Sequence, residues 1–127
     1  MTLKVYTDAS YSKEADGSVI GYLIAHNNET IYYKLDFLDK VKNTEAEVTA
    51  VISAIEKCQE INKDSKIIIF TDCQKAIKMN FHNVIFQKVI GHSKKCDKDE
   101  DDIMFNIVDK GTRKRLREIV KNKKIEI

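Results

Sequence analysis

Two apolar segments, Lys4–Asp8 (KVYTD) and Lys66–Asp72 (KIIIFTD), each run into a Thr-Asp pair, and this repetition constrains the fold more than any other feature. The first alternates polar and apolar residues as a half-buried strand does; the second is a buried strand by composition. A strand that ends on Asp leaves a carboxylate where the chain quits the sheet. Two such carboxylates share one edge if the strands are parallel neighbours, and a helix joining them makes that arrangement natural. Taken alone, Asp8 also fits a simple turn, because Asp-Ala-Ser is turn chemistry.

The connecting helix is expected over Thr44–Glu60. Thr44 is a plausible N-cap, and Thr44-Glu45-Ala46-Glu47 has the form of a capping box. Ala50, Val51, Ala54, Ile55 and Cys58 make the apolar stripe, and Glu47 falls on the same stripe at i, i+4, i+7 and i+11 spacing with Val51, Ala54 and Cys58. A carboxylate on that stripe is aimed at the sheet, whereas Glu45 points elsewhere. Between the two Thr-Asp strands and ahead of the helix lies Ser18–Ala25 (SVIGYLIA), a near-continuous apolar run expected to be buried on both faces. His26–Glu29 reads as a hairpin turn and Thr30–Leu35 as the returning strand, giving a three-stranded antiparallel meander. Beyond Asp72 a short helix is expected over Cys73–Met79, a strand over Val84–Ile90, an acidic loop over residues 97–102 and a last helix over Ile103–Val120. Ile107, Val108, Leu116, Ile119 and Val120 are its apolar candidates. The order β-β-β-α-β-α-β-α specifies an α/β protein with a five-stranded mixed sheet, and 127 residues suit one domain, 1–127.

Charge and cysteine content narrow the class. No apolar run is long enough to span a bilayer and no signal-peptide pattern opens the chain, so the expected location is the cytoplasm, without membrane contact. Cys58, Cys73 and Cys96 are odd in number and widely spaced, which fits a reducing compartment; with His92 they match no standard zinc spacing. The net charge of +2 is too small to argue for nucleic acid. The C-terminal stretch nevertheless carries Lys110, Arg113, Lys114, Arg115, Arg117, Lys121, Lys123 and Lys124 against Glu118 and Glu126, a solvated helix face that is compatible with phosphate contacts. Tyr6, Tyr22, Tyr32, Tyr33 and Phe70 are read as packing residues rather than base-stacking ones.

With this topology Asp8, Glu47, Asp72 and Asp109 converge. Clustered carboxylates repel and lose hydration unless a cation sits among them. Hard oxygen donors select Mg²⁺ or Mn²⁺, and a pair of such ions suits phosphodiester hydrolysis.

The same residues resemble a known family. Thr7-Asp8-Ala9-Ser10, Asn43-Thr44-Glu45-Ala46-Glu47, Phe70-Thr71-Asp72-Cys73-Gln74, Gly91-His92 and Asn106-Ile107-Val108-Asp109 follow the order seen in type 1 ribonuclease H, over nearly the whole chain. The resemblance implies a ribonuclease H-like fold and cleavage of the RNA strand of an RNA–DNA hybrid, leaving 3′-hydroxyl and 5′-phosphate ends. It implies two Mg²⁺ ions, with Mn²⁺ as a substitute. Asp8 would bridge both ions, Glu47 and Asp72 would help hold one, and Asp109 the other. His92 would assist proton transfer or product release. Ser10, Asn43 and Gln74 would contact the substrate, the last two in the minor groove where the 2′-hydroxyl marks RNA. A monomer is expected.

The chain also departs from the family. Asp72 to His92 is 92 − 72 = 20 positions, too few for the extra helices and basic handle of longer members, so hybrid binding should be weaker. Gly17 is all that remains of a glycine-rich first loop, and Gly111-Thr112 replaces an apolar-small pair. Two other readings stand beside the enzyme: a ribonuclease H-like binding module that cleaves poorly or not at all, and a DNA-directed nuclease of the same fold.

Overall fold

The computed structural model describes residues 1–88 and 100–125. Its elements are β1 (Thr2–Ser12), β2 (Gly17–His26), β3 (Glu29–Asp39), α1 (Asn43–Ile61), β4 (Lys66–Thr71), α2 (Gln74–Ile77), β5 (Val84–Lys88) and α3 (Glu100–Ile125). The five strands form one mixed sheet in the order β3-β2-β1-β4-β5, with β1 antiparallel to β2 and parallel to β4. The meander and the parallel Thr-Asp strands are therefore both present. Asn27 and Asn28 turn the β2–β3 hairpin with positive φ at both positions, as a two-residue turn requires.

Helices cover both faces. Residues of β1 alternate: Leu3 and Val5 face α1 with Val51, Ala54 and Cys58, whereas Tyr6 faces α3 with Leu23, Phe70 and Val108. Burial on both faces accounts for β2, whose first nine residues are all buried, and for the apolar run that encodes it. Gly21 lets α3 come close: a Cβ there would lie 2.8 Å from Thr112 Cγ2 and 3.2 Å from Val108 Cγ1.

Several expectations change. The strand carrying Asp8 continues to Ser12, paired with β2 throughout (Asp8 opposite Gly21, Ser12 opposite Gly17), while its register with β4 ends at Tyr6 opposite Phe70. Asp8 therefore marks not the end of β1 but the point where β1 outlasts β4. The polar residues 11–12 extend the strand because backbone pairing with β2 holds them, and β3 likewise reaches Asp39. The capping box does not form: α1 starts one residue earlier, at Asn43, with Lys42 in the cap position and no side-chain cap. Glu100, Asp101 and Asp102 belong not to a loop but to the first turn of α3, where acidic side chains favour the positive end of the helix. Asp101 is tied down, accepting from Tyr6 Oη at 2.6 Å and Lys4 Nζ at 3.3 Å. Ile107 is 45% exposed and is not a core residue, whereas Val108 beside it is fully buried.

Candidate metal centre

The early end of β4 creates the site. Asp8 points to the α3 side of the sheet, and with no β4 residue beside it the end of β4 and the first turns of α1 open onto the same space. Carboxylate oxygens of Asp8, Glu47 and Asp72 lie within 4.8 Å of one another. Asp72 is exposed, Glu47 half-buried and Asp8 buried. Asp109, on the third turn of α3, joins from the other layer through a hydrogen bond between its carboxyl and that of Asp8. All four carboxylates singled out in the sequence thus belong to one neighbourhood.

The electrostatics are those of a site waiting for positive charge. Burial, then the hydrogen bond to Asp109 and the negative charges of Asp109 and Asp72, push the Asp8 carboxyl up from 3.8 to about 8. Glu47 is also raised, by burial and by Asp72, against hydrogen bonds from Cys73 and Asn43 that favour its charged form. The Asn43 amide donates to Glu47 Oε1 at 3.4 Å. Glu47 therefore reaches back to the first residue of its helix and across to Cys73 on the β4–α2 connection, in place of the capping role. A hard divalent cation fits this donor set, because it supplies the positive charge that burial otherwise replaces with a proton.

The residues expected to contact substrate surround these groups. Asn43 opens α1 one turn before Glu47, and Gln74 opens α2 two positions after Asp72; both are exposed. Ser10 lies two residues after Asp8 on the same face and shares a 3.0 Å hydrogen bond with Thr112. His92, Gly91 and Cys96 lie outside the described residues, as do residues 97–99 of the acidic segment.

Sequence reasoning missed two contributors. Arg113 Nε sits 3.1 Å from Asp109 Oδ1, so the fourth carboxylate already carries a counter-charge. The Asp109–Arg113 spacing of four on a helix was the available signal. The buried Cys73 thiol at Glu47 had none, since it depends on the tertiary approach of α1 to the end of β4.

Comparison with known proteins follows the same lines. The RNase H family profile matches residues 1–127. This chain belongs to the RNase H family. Among solved structures it resembles LC11-RNase H1, isolated from compost and solved in complex with an RNA/DNA hybrid, at 16% identity and TM-score 0.57, covering 86% of this chain and 98% of that one. RNase H1 of the halophilic archaeon Halobacterium salinarum gives 16% identity and TM-score 0.58 over 70% of this chain and 86% of that one. The protease–reverse transcriptase of prototype foamy virus gives 14% and 0.68, over 88% of this chain and 20% of that one. At these identities the likeness is one of fold. No curated protein sequence gives a match. Among the described residues no helix is long and apolar enough to cross a membrane.

Proposed function

We propose that this RNase H family member is a divalent-metal-dependent endoribonuclease that hydrolyses the RNA strand of RNA–DNA hybrids, leaving 3′-hydroxyl and 5′-phosphate ends. The observation that carries the reading is the convergence of Asp8, Glu47 and Asp72 within 4.8 Å, with Asp109 bonded to Asp8. A module that only binds has no use for four carboxylates that cost hydration and repel.

In this reading Asp8, Glu47 and Asp72 would hold one Mg²⁺, and Asp109 with Asp8 would help hold a second; Mn²⁺ is the expected substitute. The ions supply Lewis-acid activation of water and neutralise charge on the phosphate. The protein's own residues do the rest. Asp8, a hydrogen-bond partner of Asp109 here, would serve as a ligand in its deprotonated form. Asn43 and Cys73 orient Glu47, fixing which oxygen faces the site. Asn43 and Gln74 flank the carboxylates with exposed amides suited to the minor groove and its 2′-hydroxyl, and Ser10 continues that surface along β1. His92 is assigned to proton transfer or product release. Cys58 and Cys73 are free and buried, which supports a reducing, cytoplasmic setting for a monomeric enzyme.

The test is a panel of labelled substrates with Mg²⁺ and with Mn²⁺: an RNA–DNA hybrid, single-stranded RNA, double-stranded RNA and double-stranded DNA, at low salt. Cutting confined to the RNA of the hybrid, with a 5′-phosphate on the product, is the expected result. Cutting of DNA would make this a DNA-directed nuclease of the same fold. Binding without cutting would make it a binding module.

A further inference from the structure

The basic last helix is not used by the site described above, and its geometry gives it a direction. From the carboxylates, β1 and α3 run side by side. Asp8 meets Asp109, Ser10 meets Thr112 at 3.0 Å, and Ala15 packs on Leu116. Beyond the last of these rungs lies a groove of about 390 Å³ lined by Ser12, Glu14, Leu116, Arg117, Val120 and Lys121. Leu116 and Val120 give it an apolar floor, with Arg117 and Lys121 exposed beside them.

The cations are ordered. Arg113, Arg117 and Lys121 follow Asp109 at successive steps of four, each advancing ~6 Å along the helix and turning ~40° around it. Arg113 is engaged by Asp109. Among the described residues Arg117 and Lys121 have no ion-pair partner. Arg115 pairs with Glu118 at 3.3 Å, and Lys123 donates to the Ala15 carbonyl and lies over the Phe37 ring. Lys110 and Lys114 are exposed without an ion pair among the described residues, but do not line the groove. The two cations that line the groove, Arg117 and Lys121, are thus both without an ion pair among the described residues, beside an apolar floor that suits sugar faces, at a repeat comparable to that of successive backbone phosphates.

We propose that the groove between the end of β1 and α3 binds the sugar–phosphate backbone of the substrate beyond the point of cleavage, with Arg117 and Lys121 each neutralising a phosphate. The identity of the polymer rests on the nuclease reading; the groove and its charge do not.

The experiment is hybrid binding by the full chain, in EDTA so that nothing is cut, across a salt series, for the wild type, for Arg117→Gln with Lys121→Gln, and for a charge-matched control. The control is Arg115→Gln with Lys63→Gln: Arg115 is ~160° round the helix from Arg117 and ~120° from Lys121, and Lys63 lies in the turn before β4 at the opposite end of the strands. Each phosphate contact adds about 0.9 to the slope of log affinity on log salt, so the groove variant should lose about 1.8 of slope and bind several-fold more weakly at fixed salt. Arg117→Glu alone should act in the same direction. A groove variant indistinguishable from the control, or a wild type that does not bind, overturns the proposal. Cleavage is scored separately. Groove-dependent binding without cutting refutes the nuclease and leaves the groove; cutting with groove-independent binding does the reverse.

Discussion

Replacing Asp8 by Asn should make the metal-free protein more stable while destroying the site, and the size of the gain follows from the burial of this one carboxyl. Asp8 is 8% exposed and is pushed from 3.8 to about 8 by burial and by Asp109 and Asp72. Between those two values the folded chain keeps a proton that the unfolded chain has released, so stability falls as pH rises through this window and is fully lost only above the folded value. Each pH step of one costs about 1.4 kcal/mol, so the penalty at pH 7 is on the order of 4 kcal/mol. Asn carries no such proton and still donates to Asp109. Urea unfolding in EDTA from pH 5 to pH 8 should therefore show the wild type losing on the order of 4 kcal/mol relative to Asp8→Asn. Taking the difference between the two proteins cancels the titration of shared groups that do not interact with Asp8. Glu47, raised for similar reasons, contributes in the same direction to both. Adding Mg²⁺ should restore stability to the wild type at pH 7 and do little for Asp8→Asn, since a ligand stabilises only the state that binds it. Parallel stability–pH curves for the two proteins would refute the reasoning.

Three further outcomes are expected. Gly21→Ala places a methyl 2.8 Å from Leu35 Cδ2 and Thr112 Cγ2, which forces α3 off the sheet. It should cost about 1–3 kcal/mol by urea unfolding and lower hybrid cleavage beyond that loss, because Asp109 rides on α3. Arg113→Gln removes the cation at Asp109 and should lower the Mg²⁺ concentration needed to stabilise the protein in a thermal melt; an unchanged or higher requirement would show that the pair is only a helix-surface contact. Glu47→Gln and Asp72→Asn should each leave the fold intact by circular dichroism and reduce Mg²⁺-dependent cleavage by at least 10²-fold, and full activity in either would remove that residue from the site.

Much of this was legible in the sequence, for reasons that differ by element. The SVIGYLIA run and the stripe of α1 are written in side-chain periodicity, which burial imposes directly. The convergence of Asp8 and Asp72 followed from two strands ending alike, and that of Glu47 from its place on a buried stripe. The exact role of Asp8 in β1 was not legible, because nothing local says that β1 will keep pairing with β2 after β4 has stopped. Thr44 illustrates the converse: its local capping pattern is sound, but Glu47 is held instead by Asn43 on its own helix and by Cys73 across the tertiary contact. Acidic residues 100–102 looked like a loop by charge, yet the helix N-terminus and the Tyr6 and Lys4 side chains give them helical partners. The Asp109–Arg113 pair and the groove beyond it were present as spacing alone. Their meaning required knowing which flank of α3 faces the site.

The central claim is that the carboxylates around Asp8 form the metal centre of a hybrid-directed nuclease. Its most direct test compares the wild type with Asp8→Asn on a labelled RNA–DNA hybrid in Mg²⁺, at low salt and equal folded concentration. Cleavage of the RNA by the wild type, abolished in Asp8→Asn although that protein is folded and more stable in EDTA, is the result predicted here. Equal cleavage by both proteins would contradict it.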